Sequence, residues 1–179
     1  MKKFNIYNFT SSKMQAALTG VYHDNGYKVA SDAIVLVAIK SDYPEELEHH
    51  IIDKDGKDVP SKYPHWKSCI PDGRDYKPYR IDPAQFEAFL KERRAAWKAS
   101  EGKGTKWGQY QWTVKVGPAC LKAHKFETFL SAMKEIGATE ILVYDARHTV
   151  YAKTDKGAAL IFPVLYAGDG TEPDILIMA

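Results

Sequence analysis

Residues 126–166 read FETFLSAMKEIGATEILVYDARHTVYAKTDKGAALIFPVLY, the most regularly patterned stretch of the chain. Its first part predicts an amphipathic helix, because apolar residues recur there at helical spacing: Phe126, Phe129, Leu130, Met133 and Ile136. Gly137 supplies a C-terminal stop for this helix. Three apolar runs follow, at 140–144, 149–153 and 158–166, and short polar turns separate them. The stretch therefore predicts a helix followed by three antiparallel strands.

A second helix is predicted at 83–98, upstream of this stretch. Asp82 can cap its start, and Pro83 occupies the first helical position, where a missing N–H costs nothing. Phe86, Phe89 and Leu90 then recur at helical spacing, with Lys, Arg and Glu on the other side. This helix should pack one apolar face on the sheet.

The N-terminal part predicts a short strand at 4–9 and a helix near residues 12–19. Asn25-Gly26 is a strong signal for a tight hairpin turn, and the apolar run at 27–39 predicts one or two buried strands. Several prolines interrupt residues 41–73, so connections and edge structure are expected there. This order of elements predicts an α+β fold with antiparallel strand pairing.

The composition is that of an ordinary globular protein, and it bears on localisation more than on function. The 179 residues are 45% hydrophobic and 27% charged, and 25 Lys and Arg against 23 Asp and Glu give a net charge of +2. Nucleic-acid binding through bulk charge is therefore excluded, and a local basic patch or encirclement would be needed. The two cysteines, Cys69 and Cys120, form no disulfide framework and suit a reducing compartment. With no signal peptide and no membrane-spanning apolar run, we expect a cytoplasmic protein without a membrane partner.

The motifs that usually carry chemistry are weak in this chain. The adjacent His49 and His50 would point their rings in different directions on a helix or a strand, so they do not converge on one metal. The GKGT run at 102–105 lacks the spacing of a phosphate-binding loop. No nucleophile lies in a recognisable elbow. We expect no catalytic residues, no metal and no cofactor, although a site dispersed along the sequence stays open.

The segment 93–115 combines cations with aromatic rings. Cations can follow a phosphate backbone while rings stack on unpaired bases, so the mixture suits nucleic-acid binding. The candidate nucleic-acid-binding residues are Arg93, Arg94, Lys98, Lys103, Lys106 and Trp107. The alternative is that the rings are core residues at helical or strand spacing and the cations form a solvated face.

Several short stretches, taken in order, are similar to a known family. ALTGVY at 17–22, VASD at 29–32 and LVA at 36–38 follow the order of a short helix, G-V-x-F and V-A-T-D-G-H-R-L-A. YPHWKSCIP at 63–71 is similar to F-P-(D/N)-Y-x-R-V-(I/L)-P, and ALIFPV at 159–164 to a final strand ending in M-P-M. FETFLSAM, at the start of the first stretch quoted, looks like that family's second helix. In this order the motifs resemble the bacterial DNA polymerase sliding clamp (β subunit).

The resemblance implies a DNA-clamp fold, in which helices line a channel and sheets form the outer layer. It implies a single clamp-like domain over 1–179, with a first half at 1–40, an enlarged middle segment at 41–117 and a second half at 118–179. It also implies encirclement of duplex DNA and tethering of replication proteins, with no catalysis. Because the bacterial clamp chain resembles three domains in tandem, a ring built here would need several copies of this chain.

Two readings of function follow. The first is a non-catalytic, DNA-associated processivity or accessory factor, of phage or mobile-element origin, whose partners are duplex or single-stranded DNA, replication proteins and further copies of itself. The second is a protein-binding module that keeps the clamp fold without binding DNA. The second is favoured by AIV at 33–35, which stands where the family has G-H-R, so that Val35 replaces a basic residue expected near DNA.

Overall fold

The computed structural model describes residues 3–12, 15–72, 75–99, 113–164 and 176–177. The strands are β1 (Val21–Asp24), β2 (Tyr27–Ser31), β3 (Val35–Lys40), β4 (Ile51–Ile52), β5 (Lys77–Arg80), β6 (Thr113–Val116), β7 (Ala119–Lys122), β8 (Glu140–Val143), β9 (Val150–Thr154), β10 (Gly157–Ile161) and β11 (Leu176–Ile177). The α-helices of these residues are α1 (Pro83–Ala99) and α2 (Ala123–Ile136). Short 3-10 helices lie at Ile6–Phe9, Ala16–Leu18, Glu45–Leu47 and Trp66–Cys69.

The strands form two sheets. The larger has eight strands in the order β4-β1-β2-β3-β10-β9-β8-β5, and each of its pairs is antiparallel. The smaller has the order β11-β6-β7 and includes one parallel pair, β11 with β6. Strands β3 and β10 join the N-terminal and C-terminal parts at the centre of the larger sheet, with Gly157 opposite Ile39 and Ile161 opposite Val35. This single ladder makes one continuous sheet from two distant parts of the chain.

The central strands of the larger sheet are buried on both faces. Side chains alternate between the two faces along a strand, and the first four residues of β3 and all of β10 are buried. On β3, Val35 and Val37 belong to the same apolar core as α1 and α2, whereas Leu36 and Ala38 face the other side. The helices cover the first face with large apolar side chains such as Phe86 and Phe126. The central strands consequently read as continuous apolar runs.

The second face is covered by residues 59–72, named here the cover segment. Tyr63 and Trp66 of the cover segment are buried against Val29, Leu36 and Leu160 of the sheet. Tyr63 stacks on Tyr22 at a ring-centroid distance of 4.7 Å, and Trp66 lies 5.5 Å from Tyr27. The proline-rich middle of the sequence is therefore a packing layer as well as a connection.

The predicted α+β class, with two main helices on an antiparallel sheet, is confirmed. The helices predicted at 83–98 and near 125–136 are α1 and α2, and Gly137 ends α2 in the left-handed region at φ 71°. The hairpin turn at Asn25-Gly26 also forms, between β1 and β2. None of the helices in the described part of the chain is long and apolar enough to cross a membrane.

Two N-terminal elements differ from the prediction. The expected strand at 4–9 is a 3-10 turn at Ile6–Phe9, which begins where the Asn5 side chain accepts the Tyr7 N–H. The helix expected near residues 12–19 is only a 3-10 turn at Ala16–Leu18, and residues 13–14 lie outside the described part. The Thr19 N–H and hydroxyl both donate to the Ala16 carbonyl, so this turn closes just before β1. The chain then enters β1, which pairs with β2 and β4, so tertiary pairing overrides the helical spacing.

Gly157→Ala tests the ladder between β3 and β10. Gly157 has φ 154°, and a Cβ there would collide with the Ala38 carbonyl oxygen, which is backbone and cannot rotate away. We expect a loss of about 3 kcal/mol or more of unfolding free energy in urea titration, from strain and overpacking together. Gly26→Ala is the matched control, because Gly26 has φ 77° but open space around it. It should cost only about 1–2 kcal/mol, and equal losses for the two variants would contradict the steric explanation.

Candidate nucleic-acid interface

Helix α1 carries the described members of the candidate nucleic-acid-binding set. The Asp82 carboxylate accepts the Ala84 N–H at 2.8 Å and so caps the helix start, as the sequence indicated. Phe86, Phe89 and Leu90 are buried and fix the helix on the same face of the sheet as α2. The Phe86 ring meets the Phe126 ring edge-on at 5.1 Å. The register of α1 is therefore set by its apolar side.

Arg94 is anchored at the junction of the two helices. Its guanidinium donates to the Glu127 carboxylate of α2 at 3.3 Å, and the Glu127 side chain is only 6% exposed. Ten of the fourteen residues of α2 are buried, including the polar Glu127, Thr128 and Ser131. Helix α2 therefore presents little surface to a macromolecular partner. Its last turn exposes Lys134, whereas α1 exposes Lys91 and Arg94.

The other members of the set lie partly on α1 and partly outside the described residues. Arg93 is half-buried on α1, with its guanidinium carbon 5.6 Å from the centroid of the Phe89 ring. Lys91, which is not a member of the set, is exposed on the same helix. Lys98 belongs to α1, but its side chain lies outside the described residues. Lys103, Lys106 and Trp107 lie wholly outside them. The structure thus places Arg93 and Arg94 together on one helix.

The VASD motif has a structural role at the turn between β2 and β3. The Asp32 carboxylate accepts the N–H groups of Ile34 and Val35, each at 2.9 Å, and Ala33 adopts φ 71°. The other Asp32 oxygen is ion-paired to Lys125, near the start of α2. This aspartate therefore ties the hairpin to the helix layer.

A second polar cluster lies at the end of β1, next to the cover segment. The buried Asp24 carboxylate accepts the Trp66 indole N–H at 2.8 Å and lies 3.0 Å from the Lys67 ammonium. The Asn25 amide donates to its other oxygen at 2.6 Å. Burial would raise the pKa of Asp24, but the hydrogen bonds from Lys67, Trp66 and Asn25 together lower that pKa below its ordinary value. The carboxylate is therefore held in its charged form.

Asp24, Glu48 and His49 bring potential metal ligands within 4.8 Å of one another. The Glu48 oxygens, however, already accept the Asn25 N–H and the Tyr43 hydroxyl, each at 2.7 Å. Both Asp24 oxygens are occupied in the same way, so the cluster is organised by hydrogen-bond donors. The neighbouring His50 turns away to Asp58, at 3.0 Å, which fits the divergent rings expected for the pair.

The sequence does not predict this second cluster. Asp24 directly precedes the Asn25-Gly26 turn signal, and its contact with Asn25 belongs to that turn. The bond to Trp66 joins residues 42 positions apart and has no local sequence signal. The one available sign was YPHWKSCIP at 63–71, an aromatic run too irregular for a helix or a strand.

The overall architecture is that of DNA sliding clamps. No protein-family model and no curated protein matches the sequence. In structure, the chain is similar to the DNA polymerase III subunit beta of Pseudomonas aeruginosa, with a TM-score of 0.60 and 14% identity over 88% of this chain and 61% of that one.

Two further solved structures give the same result. The C. crescentus beta sliding clamp has a TM-score of 0.59 and 12% identity over 90% of this chain and 62% of that one. The Helicobacter pylori beta clamp bound to a DNA ligase peptide has a TM-score of 0.52 and 12% identity over 89% and 61%. The chain thus spans about three fifths of the length of these clamps. The resemblance noted from the sequence motifs is confirmed as a likeness of fold.

Arg94→Ala should destabilise the protein through Glu127. The substitution leaves a buried carboxylate without its guanidinium partner, and about 1–2 kcal/mol of unfolding free energy should be lost because Arg94 itself is half-exposed. Urea titration measures the effect. The control is Lys91→Ala on the exposed side of α1, which should stay within about 0.5 kcal/mol of the wild type. If the two variants were equally stable, the pair would not anchor the helix.

Asp24→Asn should remove a pH-dependent part of the stability. The folded-state pKa of Asp24 is lowered, so its contribution is complete above the unfolded-state pKa and is lost as the pH falls through the folded-state pKa. At neutral pH the variant should lose about 1–3 kcal/mol, because Trp66 and Lys67 no longer meet a charged acceptor. The difference from the wild type should shrink as the pH falls below about 4.

Unfolding free energies measured between neutral and acid pH test this expectation. Asp55→Asn, at an exposed turn, is the matched control and should follow the wild type throughout. A gap between Asp24→Asn and the wild type that stays constant down to acid pH would contradict an ionised Asp24.

Proposed function

We propose that this protein is a non-catalytic, DNA-associated factor of the sliding-clamp fold, which contacts the DNA backbone through α1 and serves as a processivity or accessory factor. The observation that carries the proposal is the position of α1. It is a basic helix on the helical side of a clamp-like sheet, and α2 is buried beside it. In this arrangement α1 is the element that a duplex on that side would meet.

The charge of α1 supports phosphate contact. The helix contains four cations and two glutamates, so its charge is positive although the chain as a whole is nearly neutral. Lys91, Arg94 and Lys98 are spaced three and four residues apart and lie along one stripe of the helix. Arg94 keeps N–H groups beyond those facing Glu127, since guanidinium has five donors. The proposed contact set is Arg93, Arg94, Lys98, Lys103, Lys106 and Trp107, to which we add Lys91 because it is exposed on the same helix.

The length of the chain bears on assembly. If residues 1–179 act as a single clamp-like unit, a ring of the kind that the resemblance implies would need several copies of this unit. Closed rings form when one surface meets a different surface of the next copy at a closing rotation. We propose self-association of this kind, with DNA and replication proteins as partners in the cytoplasm. A clamp of the same fold has been solved with a DNA ligase peptide.

The alternative, a protein-binding module without DNA contact, has its own support. Val35 replaces the basic residue expected near DNA and is fully buried. Ile34 and Phe162 are each 37% exposed, and the Phe162 N–H donates to the Ile34 carbonyl at 2.9 Å. These two neighbouring residues both expose apolar surface at one end of the sheet, where a protein partner could cover it.

DNA affinity measured against salt concentration separates the two functions. Fluorescence anisotropy with a labelled duplex, and with one of its single strands, gives the slope of log K against log salt. The slope should be clearly negative, and each phosphate contact on duplex DNA contributes about 0.9 to it. The triple variant Lys91→Gln, Arg93→Gln, Lys98→Gln should bind at least about tenfold more weakly with a shallower slope. Arg94 is left in place because it anchors α1.

The matched control neutralises three exposed lysines away from α1: Lys54, Lys57 and Lys156. It changes the net charge equally and should keep both affinity and slope. A slope near zero for the wild type would favour the protein-binding module. Tight binding that survives the α1 triple variant would refute the proposed interface while leaving DNA binding intact.

A further inference from the structure

The turn between β1 and β2 contains a chemically reactive backbone linkage. Asn25 is the only asparagine of the sequence that is followed by glycine, and both Asn25 and Gly26 are exposed. An Asn-Gly linkage in water is prone to deamidation, because glycine has no side chain to hinder the approach of its own amide nitrogen. Nothing in the proposed DNA contact of α1 uses this turn.

Deamidation of this linkage needs only water as a co-reactant. The Gly26 nitrogen loses its proton and attacks the side-chain amide carbon of Asn25, and the bond from that carbon to Nδ2 breaks, so that ammonia leaves and a cyclic imide forms. Water then adds to either imide carbonyl and opens the ring, which gives aspartate or isoaspartate. The net change replaces the amide NH2 group by a carboxylate oxygen.

Residues 41–50, named here the strap, connect β3 to β4 and pack against this turn. The Tyr43 hydroxyl accepts the Gly26 N–H at 3.0 Å and donates to one oxygen of the Glu48 carboxylate at 2.7 Å. The other Glu48 oxygen accepts the Asn25 N–H at 2.7 Å. Two side chains of the strap therefore hold both backbone N–H groups of the Asn-Gly linkage.

These hydrogen bonds hold the reacting groups in an unreactive arrangement. The pKa of Tyr43 is raised by burial and by its bond to Glu48, so its hydroxyl accepts the Gly26 N–H without removing the proton. The Asn25 Nδ2 donates to the Asp24 carboxylate at 2.6 Å. The Asn25 side chain is thus held toward the residue before it, whereas the reaction needs contact with the nitrogen of the residue after it.

We propose that the strap protects the Asn25-Gly26 linkage from deamidation, and that Asn25 becomes a site of this modification when the strap opens. The product keeps the strap open, because its new carboxylate replaces the NH2 group that donated to Asp24. Asp24 is charged, and hydrogen bonds from the Asn25 N–H and the Tyr43 hydroxyl lower the pKa of Glu48 below its ordinary value. Both neighbours therefore repel a third carboxylate, and one opening of the strap is converted into a permanent change.

The variant Asp55→Asn provides an internal comparison in the full-length protein. It creates a second Asn-Gly linkage in an exposed turn, where the Gly56 N–H donates to the backbone carbonyl of Asp53 and not to a side chain of another segment. After incubation at neutral pH below the unfolding temperature, peptide mass spectrometry measures deamidation at both positions. The new asparagine should react at least about tenfold faster than Asn25, which two further hydrogen bonds protect. Equal rates at the two positions would overturn the proposal.

Tyr43→Phe tests the contribution of the strap directly. It removes the hydroxyl that holds Gly26 and keeps the ring that meets the His23 ring edge-on at 4.8 Å, so the variant should fold. Deamidation of Asn25 should become about fivefold faster, the factor by which the loss of one ordinary hydrogen bond favours the open strap. Tyr144→Phe, at an exposed tyrosine next to β8 in the other half of the larger sheet, is the matched control and should react as the wild type does.

Hydrogen exchange separates opening of the strap from unfolding of the whole protein. In Tyr43→Phe the amides of Asn25 and Gly26 should exchange faster, whereas the amides of β3 and β10 should keep their wild-type rates. A wild-type rate of deamidation in Tyr43→Phe would refute the protective role of the strap. Exchange that accelerates equally throughout the sheet would also refute it, because global unfolding would then explain the modification.

Discussion

The antiparallel pairing of β3 with β10 is the constraint on which the rest of the structure depends. It is the only ladder joining the N-terminal and C-terminal strands of the larger sheet in the described chain. Both strands are buried on both faces, and each would have an unpaired apolar edge if the other were absent. Gly157 permits the close approach at one end, and Ile161 opposite Val35 completes the other. The helix layer and the cover segment pack on the surface that this pairing creates.

The two layers make different uses of that surface. On one side, α2 fills the space against the sheet and α1 lies against α2, with Arg94 and Glu127 linking the helices. On the other side, irregular chain follows the sheet and is held by aromatic stacking and by the Asp24 carboxylate. The first side carries the basic helix α1, through which we propose that the protein contacts DNA.

Local patterns predicted much of the fold. The spacing in α2, the Asp82-Pro83 start of α1 and the Asn25-Gly26 turn each depend on neighbours within a few residues, and each formed as expected. The turn at Ala16–Leu18 shows where such reasoning ends, because the chain there is closed by Thr19 and by the start of β1 rather than by its own helical spacing. The predicted nucleic-acid-binding set lies partly on α1, with Arg93, Arg94 and Lys98, and partly outside the described residues, with Lys103, Lys106 and Trp107. The bond of Trp66 to Asp24 and the pairing of Lys125 with Asp32 join distant residues, and only the folded chain brings them together.

The pairing of β3 with β10 also has a kinetic consequence. Its partners lie about 120 residues apart, so the ladder closes a long loop, and the entropy of closure must be overcome before any of its hydrogen bonds form. The hairpin of β1 and β2 and the meander from β8 to β10 consist of neighbouring segments and can form quickly. On the ribosome, β3 emerges well before β10 and keeps an apolar edge unpaired during that interval. We therefore expect folding to be limited by the joining of two halves that each form rapidly. Until β10 is available, another molecule must cover the unpaired edge of β3 to prevent it from pairing elsewhere.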